Sequence, residues 1–135
     1  MTTSGAVDAV VQLSFTVQSM LTRVAAEHDL SVTQLRLFGI LRDRRPSMAA
    51  IAEHLDVDRS SVSGLVDRAE RRGLVARRTA DHDARVTTVE LTAAGAALAS
   101  AVEQVIQKRM DALLARVPAA DRAGLFRIAE GISGD

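Results

Sequence analysis

Cysteine is absent from these 135 residues. That excludes disulfides, thiol catalysis and thiol-based peroxide sensing, and it fits a reducing compartment. Tryptophan and tyrosine are absent too, and aromatic residues make up 2% of the chain. A core must therefore come from Ala, Leu, Val and Ile, for which a hydrophobic share of 47% is ordinary. No apolar run approaches the ~20 residues of a membrane span. The start has no basic segment followed by an apolar one, as a secretory signal requires. A soluble, cytoplasmic protein is expected, with no membrane partner. Length favours one domain, residues 1–135, with no internal repeat or low-complexity linker. Formal net charge is zero, which argues against a basic coat over the whole surface. Lys108 is the sole lysine, so the positive charge is nearly all arginine, the better residue for planar, bidentate contacts.

What is present is concentrated between Pro46 and Leu91, PSMAAIAEHLDVDRSSVSGLVDRAERRGLVARRTADHDARVTTVEL. Ser47 is an N-cap, and Met48, Ile51, Ala52 and Leu55 form one apolar helical face. Asp56 tolerates left-handed backbone, and Val57 is expected to plug the corner that follows. Asp58 caps a second helix whose inner face is Val62, Leu65, Val66 and Ala69. Gly73 stands where a helix ends on positive φ. Ala52 is small where the second helix must cross closely. This set with a two-residue corner reads as a helix-turn-helix, against the plainer reading of an αα-hairpin in a bundle.

The outer face of the second helix carries Ser60, Gly64, Asp67 and Arg71, flanked by Ser63 and Arg68, with Ser61 near the N-terminus. Short hydroxyl residues let a helix end sink into a major groove, where the helix dipole also favours phosphate. Arg68 and Arg71 are long enough to reach guanine or backbone. The plainer reading is a solvated face with Asp67–Arg71 paired at i, i+4. Beyond Gly73, Leu74–Arg78 and Arg85–Leu91 have strand composition, with a polar turn over 79–84. Arg77, Arg78 and Arg85 then share one projecting flap, and Asp83 can hold Arg85 in a bidentate pair. An arginine at such a tip suits the narrow minor groove. From Arg59 to Arg78, six arginines face Asp67 and Glu70, a local excess of four.

The run DRSSVSGLVDRAERRGLVARRTADHDARVTTVELTAAG resembles the MarR family of winged-helix transcriptional regulators. The resemblance is carried by Asp58 to Ser63, by Leu65 to Arg68, and by Arg72 to Val75. It continues through Arg77, Asp83 and Arg85 to Leu91, Thr92 and Gly95. It implies that Arg85 is the wing arginine for the minor groove with Asp83 its neighbour. Ser60, Ser61, Ser63 and Arg68 correspond to recognition-helix contacts. Two positions depart from the family pattern. Gly64 stands where a larger, often basic side chain is frequent, and Ala69 replaces a usual Leu.

On either side lie helical stretches. Met1–Gly5 reads as frayed. From about residue 6 to 28, Val10, Leu13, Val17, Met20 and Val24 mark a long amphipathic helix, with Val11, Phe15 and Leu21 a second strip. Thr33 is expected to cap a helix that turns Leu37, Phe38 and Leu41 inward and ends at Arg42–Arg45 before Pro46. Thr92 caps the longest helix, to about Val117, with Leu98, Val102, Ile106, Met110 and Leu113 at helical spacing. Pro118 suits the first position of a last helix that buries Leu125, Ile128 and Ile132 and frays from Gly131 to Asp135.

The fold class expected is mainly α with a small β-wing: a winged helix-turn-helix lobe over about 33–91, flanked by dimerisation helices over about 6–28 and 92–132. The partners are double-stranded DNA and a second copy of the chain, and the function is that of a homodimeric repressor on a pseudo-palindromic operator. The resemblance also implies a small anionic or phenolic effector between the dimer helices and the lobe. Met20, Arg23, Phe38 and Met110 are candidates to line that crevice, although each has a plain reading as core or surface. No cofactor or metal is expected. His28, His54 and His82 lie in separate elements without ligand or nucleophile spacing, which argues against an enzyme. The alternative function is a helical protein-interaction module whose helix-turn-helix does not read DNA sequence, and Gly64 is the feature that supports it.

Overall fold

Caps and left-handed residues divide the chain. The computed structural model describes residues 3–134, which form α1 (Thr3–Glu27), α2 (Val32–Leu41), α3 (Met48–Leu55), α4 (Arg59–Arg71), β1 (Val75–Ala80), β2 (Asp83–Leu91), α5 (Ala93–Leu114) and α6 (Ala119–Ser133). The expected fraying over Met1–Gly5 is corrected in part: Thr3–Gly5 are helical, while Met1 and Thr2 lie outside the described residues. Asp29 and Asp56 adopt left-handed backbone at φ 56° and 53°, and Gly73 does so at 73°. Asp and Gly are the residues that adopt this geometry at least cost.

The cap of α2 is Ser31, two residues before the expected Thr33. Its hydroxyl accepts from the Gln34 amide at 3.1 Å, while the Gln34 side chain accepts from the Ser31 amide at 2.9 Å. This reciprocal pair satisfies two orphan donors, which a lone Thr33 hydroxyl could not do. It also explains how Gln34, a polar side chain, is tolerated in the interior. Ser47, Asp58 and Thr92 cap as expected, accepting from Ala50, Ser61 and Gly95.

The core is Val24, Leu37, Phe38, Leu41, Ile51, Leu55, Val62, Leu65, Val66, Val89 and Val102, joining α1 to α5 through the wing. Ala69 is completely buried and closes the underside of α4. Val57 is corrected: it remains 37% exposed rather than plugging the corner. The α3–α4 corner is closed by backbone instead, with the Val57 amide donating to the Ala52 carbonyl at 3.1 Å. Small Ala52 permits that approach.

The hairpin is longer and its turn tighter than expected, because β1 runs to Ala80 and β2 restarts at Asp83. Pairing steps from Thr79↔Thr87 to Ala80↔Asp83, so residues 84–86 fall between two successive pairings. An irregularity of this kind re-aims a side chain, here Arg85. At the wing base, Ser47 bridges Thr88 and the Val89 amide donates to the Pro46 carbonyl at 2.9 Å. Thr92 also donates its hydroxyl to the Gly73 carbonyl at 2.6 Å. A Cβ on Gly95 would sit 1.8 Å from the Leu74 carbonyl oxygen, so only glycine lets α5 start this close to the wing.

The far end of the chain departs most from expectation. Helix α5 stops at Leu114, and residues 115–117 form a tighter turn in which the Arg116 and Val117 amides reach back three residues. Pro118 is the N-cap of α6 rather than its first helical residue, and the helix runs to Ser133 instead of fraying at Gly131. Asp135 lies outside the described residues. No residue of α6 is buried: Leu125 is half-covered, Ile128 and Ile132 are exposed, and so is Phe126. One chain provides too little surface opposite this helix to cover its apolar face.

Candidate nucleic-acid interface

The N-terminal turn of α4 projects from the lobe on the side away from its buried face. Asp58 organises it. One carboxylate oxygen accepts from the Ser61 amide and from the Ser60 hydroxyl, each at 2.8 Å. The Ser61 amide bond, then the hydroxyl contacts, hold the Asp58 carboxyl below its ordinary pKa. Ser60 and Ser61 are exposed and Ser63 is half-buried. With Gly64 they give the helix end a row of short side chains beside exposed Arg59. Arg68 and Arg71 are exposed further along. A Cβ on Gly64 would lie 3.4 Å from Arg68 Nη1, so the bare glycine gives that guanidinium room to fold back along the helix.

The Asp67–Arg71 pair does not form. Arg71 Nε instead points at the Asp67 backbone carbonyl at 3.4 Å. The Asp67 carboxylate accepts from Arg77 Nη2 at 2.6 Å, and Arg77 Nη1 reaches Glu70 at 3.1 Å. Arg77 therefore fastens the wing to α4 and does not gather with Arg78 and Arg85 at the flap. Strand alternation explains this, because Arg77 shares the inward face with Val75 and Val89 while Arg78 points the other way. Arg78 Nε donates to Glu90 at 2.8 Å, and Arg45 meets the same carboxylate at 3.0 Å. The Arg78 hydrogen bond is the larger reason that Glu90 titrates below its ordinary value. Glu90 was not singled out by sequence; its position opposite Ala76 and diagonal to Arg78 becomes legible only with the strand register.

Arg85 stands apart. Its side chain is 90% exposed, with Nε and Nη2 directed at the two oxygens of Asp83 at 3.1 and 3.3 Å. The expected pair is present, and Asp83 also accepts from the Arg85 amide. The side-chain bond chiefly holds the Asp83 carboxyl below its usual range. Of the six arginines between Arg59 and Arg78, Arg72 is drawn inward: its Nη1 donates to the Asp29 carbonyl at 2.8 Å and helps close the end of α1. Exposed Arg59, Arg68 and Arg71 on α4 and Arg85 on the wing remain directed outward.

The crevice candidates are not brought together. A cavity of about 210 Å³ between α2 and α5 is lined by Leu35, Phe38, Val102 and Ile106, with Arg42 and Glu103 paired at 2.7 Å beside it. Phe38 belongs to it; Met20, Arg23 and Met110 do not. Met20 packs on the core, Arg23 is exposed and Met110 is half-buried. His28 Nδ1 contacts the Val24 carbonyl, His54 Nε2 meets Arg44, and His82 is exposed at the wing tip.

A family model described as the MarR family matches residues 28–86, from the end of α1 into β2. Over that stretch the chain is similar to the MarR family. A putative transcriptional regulatory protein for the hcr operon of Thauera aromatica is 33% identical over 80 residues. That alignment covers 59% of this chain and 48% of the relative, so the chain spans about half the length of the curated relative it matches. Among solved structures, the MarR-type architecture recurs in the transcriptional repressor CouR bound to a 23-mer DNA duplex (TM-score 0.81, 22% identity, 93% of this chain and 89% of that one). It recurs in NadR in complex with 4-hydroxyphenylacetate (TM-score 0.78, 20% identity, 93% and 90%). At such identities these two structures establish the fold, a mainly α winged helix, and nothing more.

Proposed function

We propose that this chain is a MarR-family, homodimeric, sequence-specific DNA-binding transcriptional regulator that represses from a pseudo-palindromic operator. The observation that carries the reading is the pairing of a hydroxyl-lined, exposed α4 N-terminus with an arginine held outward on the wing by Asp83. Ser60, Ser61 and Ser63 enter the major groove, Arg68 and Arg71 reach base edges or phosphate, and Arg85 enters the adjacent minor groove. Asp67 and Arg77 act differently, by locking the wing at a set angle to α4, and Asp83 acts by orienting Arg85. The DNA-bound CouR structure supports the same docking for this chain.

A dimer supplies what one chain lacks. Val7, Val10, Val11, Leu13 and Phe15 of α1 are exposed, as are Phe126, Ile128 and Ile132 of α6. A second copy covers both strips and sets two recognition helices about 34 Å apart, one DNA turn. The chain 1–135 then acts as one unit, with residues about 6–28 and 92–132 as its dimerisation helices. The effector class is a small anionic aromatic molecule, as the NadR complex suggests. The α2–α5 cavity, with Arg42 at its edge, is the place for it.

The similarity to transcriptional regulators supports a regulator rather than an enzyme. The three histidines lie apart, and among the described residues no group of three or more His, Cys, Asp or Glu is arranged to hold a metal. No helix among the described residues is long and apolar enough to cross a membrane. Selection of bound duplexes from a random pool at physiological salt, with Arg85→Ala alongside, tests the proposal. Enrichment of an inverted repeat that weakens in the variant is expected. Binding that vanishes as salt rises, with no enriched sequence, would instead favour the protein-interaction module.

A further inference from the structure

A basic recess lies between α2 and the C-terminal end of α3. Arg36 Nη2 points at the His54 backbone carbonyl at 3.4 Å, and Arg44 Nη1 donates to His54 Nε2 at 3.1 Å. The two guanidinium groups thus converge on one residue from different segments. They border a recess of about 280 Å³ that Gly39, Ile40 and Leu55 complete. Among the described residues neither arginine has an ion-pair partner, whereas Arg42, Arg45, Arg77, Arg78, Arg85 and Arg109 each meet a carboxylate. Asp43, beside Arg44 in sequence, is turned to Arg42 at 3.4 Å, and Glu53, beside His54, is exposed. Gly39 contributes bare backbone, and a Cβ there would meet nothing within 4 Å, so the floor is open. This recess shares only Gly39 with the α2–α5 cavity.

We propose that Arg36, Arg44 and His54 form a binding site for a phosphate-class oxyanion. Two convergent guanidinium groups supply several N–H donors in the fork geometry that phosphate oxygens accept. Leaving two cations side by side without a carboxylate costs Coulomb energy, which a bound dianion reverses. His54 Nε2 adds a third nitrogen, which donates to the anion once the ring proton sits there, by tautomer shift or by protonation. The oxyanion has two possible sources, free phosphate or a phosphodiester of the DNA backbone, and the first does not depend on the chain reading DNA.

The test uses the whole chain and its Arg36→Gln/Arg44→Gln variant, both positions being exposed so that the fold is kept, as circular dichroism and melting temperature would verify. Inorganic phosphate is titrated into isotope-labelled protein against a chloride reference, and the Arg and His54 side-chain resonances are followed. In a second arm, binding to a random-sequence duplex is measured against salt concentration. Loss of two phosphate contacts should flatten the log–log slope by about 2. A flatter slope in the variant assigns the site to the DNA backbone. Saturable shifts that the variant abolishes, with an unchanged slope, assign it to free phosphate. An unchanged slope with no saturable shift, or with shifts that persist in the variant, overturns the site.

Discussion

Individual side chains on the lobe divide into those aimed outward and those that aim them. Arg85 is the clearest of the first group, and Arg85→Ala should weaken duplex binding by about 1.5–3 kcal/mol, the range for hydrogen bonds to a charged partner. Fluorescence anisotropy with the selected operator would measure it, and unchanged affinity would remove the wing from the interface. Arg68→Ala should cost about 1–3 kcal/mol and relax preference at one base pair if the contact is to guanine, but act evenly on all sequences if it is to phosphate. The carboxylates carry a pH dependence. Asp58 and Asp83 titrate below their ordinary value of 3.8. Glu90 titrates below 4.5. Groups depressed in the folded state stabilise it above those ordinary values, and the contribution is lost as pH falls through the lower folded ones. Melting temperature should therefore fall below about pH 4, and Asp58→Asn should flatten that fall; an identical acid profile would count against the cap as its origin. The Asp58 cap was legible in sequence, because a carboxylate before an apolar periodicity has a local partner three residues on. The partner of Asp67 was not, since Arg77 lies across a helix–strand contact rather than along the helix.

At the scale of elements, the junction between wing and α5 bears most on geometry. Thr92 caps α5 and at the same time donates to the Gly73 carbonyl, and Gly95 lets the helix pass within contact of Leu74. Gly95→Ala should destabilise the chain by about 3 kcal/mol, the upper end for overpacking, because the atom opposing the new methyl is backbone and cannot rotate away. Thr92→Ala should cost about 1 kcal/mol, typical of a lost N-cap. Urea denaturation of both variants would show the order, and a benign Gly95→Ala would mean that α5 can shift freely against the wing. The wing's turn was misjudged in sequence because Thr79, Ala80 and Asp83 are polar or small, so composition pointed to loop. Cross-strand pairing overrode it.

For the whole molecule, the apolar strips of α1 and α6 are the main unsatisfied feature. Phe126 is 66% exposed and Ile132 70%, on the helix that buries nothing within one chain. Phe126→Glu should yield a monomer in sedimentation velocity and reduce operator binding to that of a single half-site, with the lobe still folded. A variant that stays dimeric would place the interface elsewhere. The expectation that Ile128 and Ile132 are buried came from periodicity, which reports that a helix has an apolar face but not which chain covers it.

Sequence alone determined what depends on near neighbours. Apolar spacing placed α3 and α4, Asp56 and Gly73 placed the left-handed corners, and Asp83 beside Arg85 placed the wing-tip pair, all within a few residues. Tertiary structure decided what depends on residues distant along the chain. It joined Arg77 to Asp67 and Glu70, Arg78 and Arg45 to Glu90, Arg72 to the end of α1, and Phe38 to a cavity facing Arg42 and Glu103. A long arginine side chain reaches whichever carboxylate or carbonyl the packing of the core brings beside it, and that packing is a property of the whole fold.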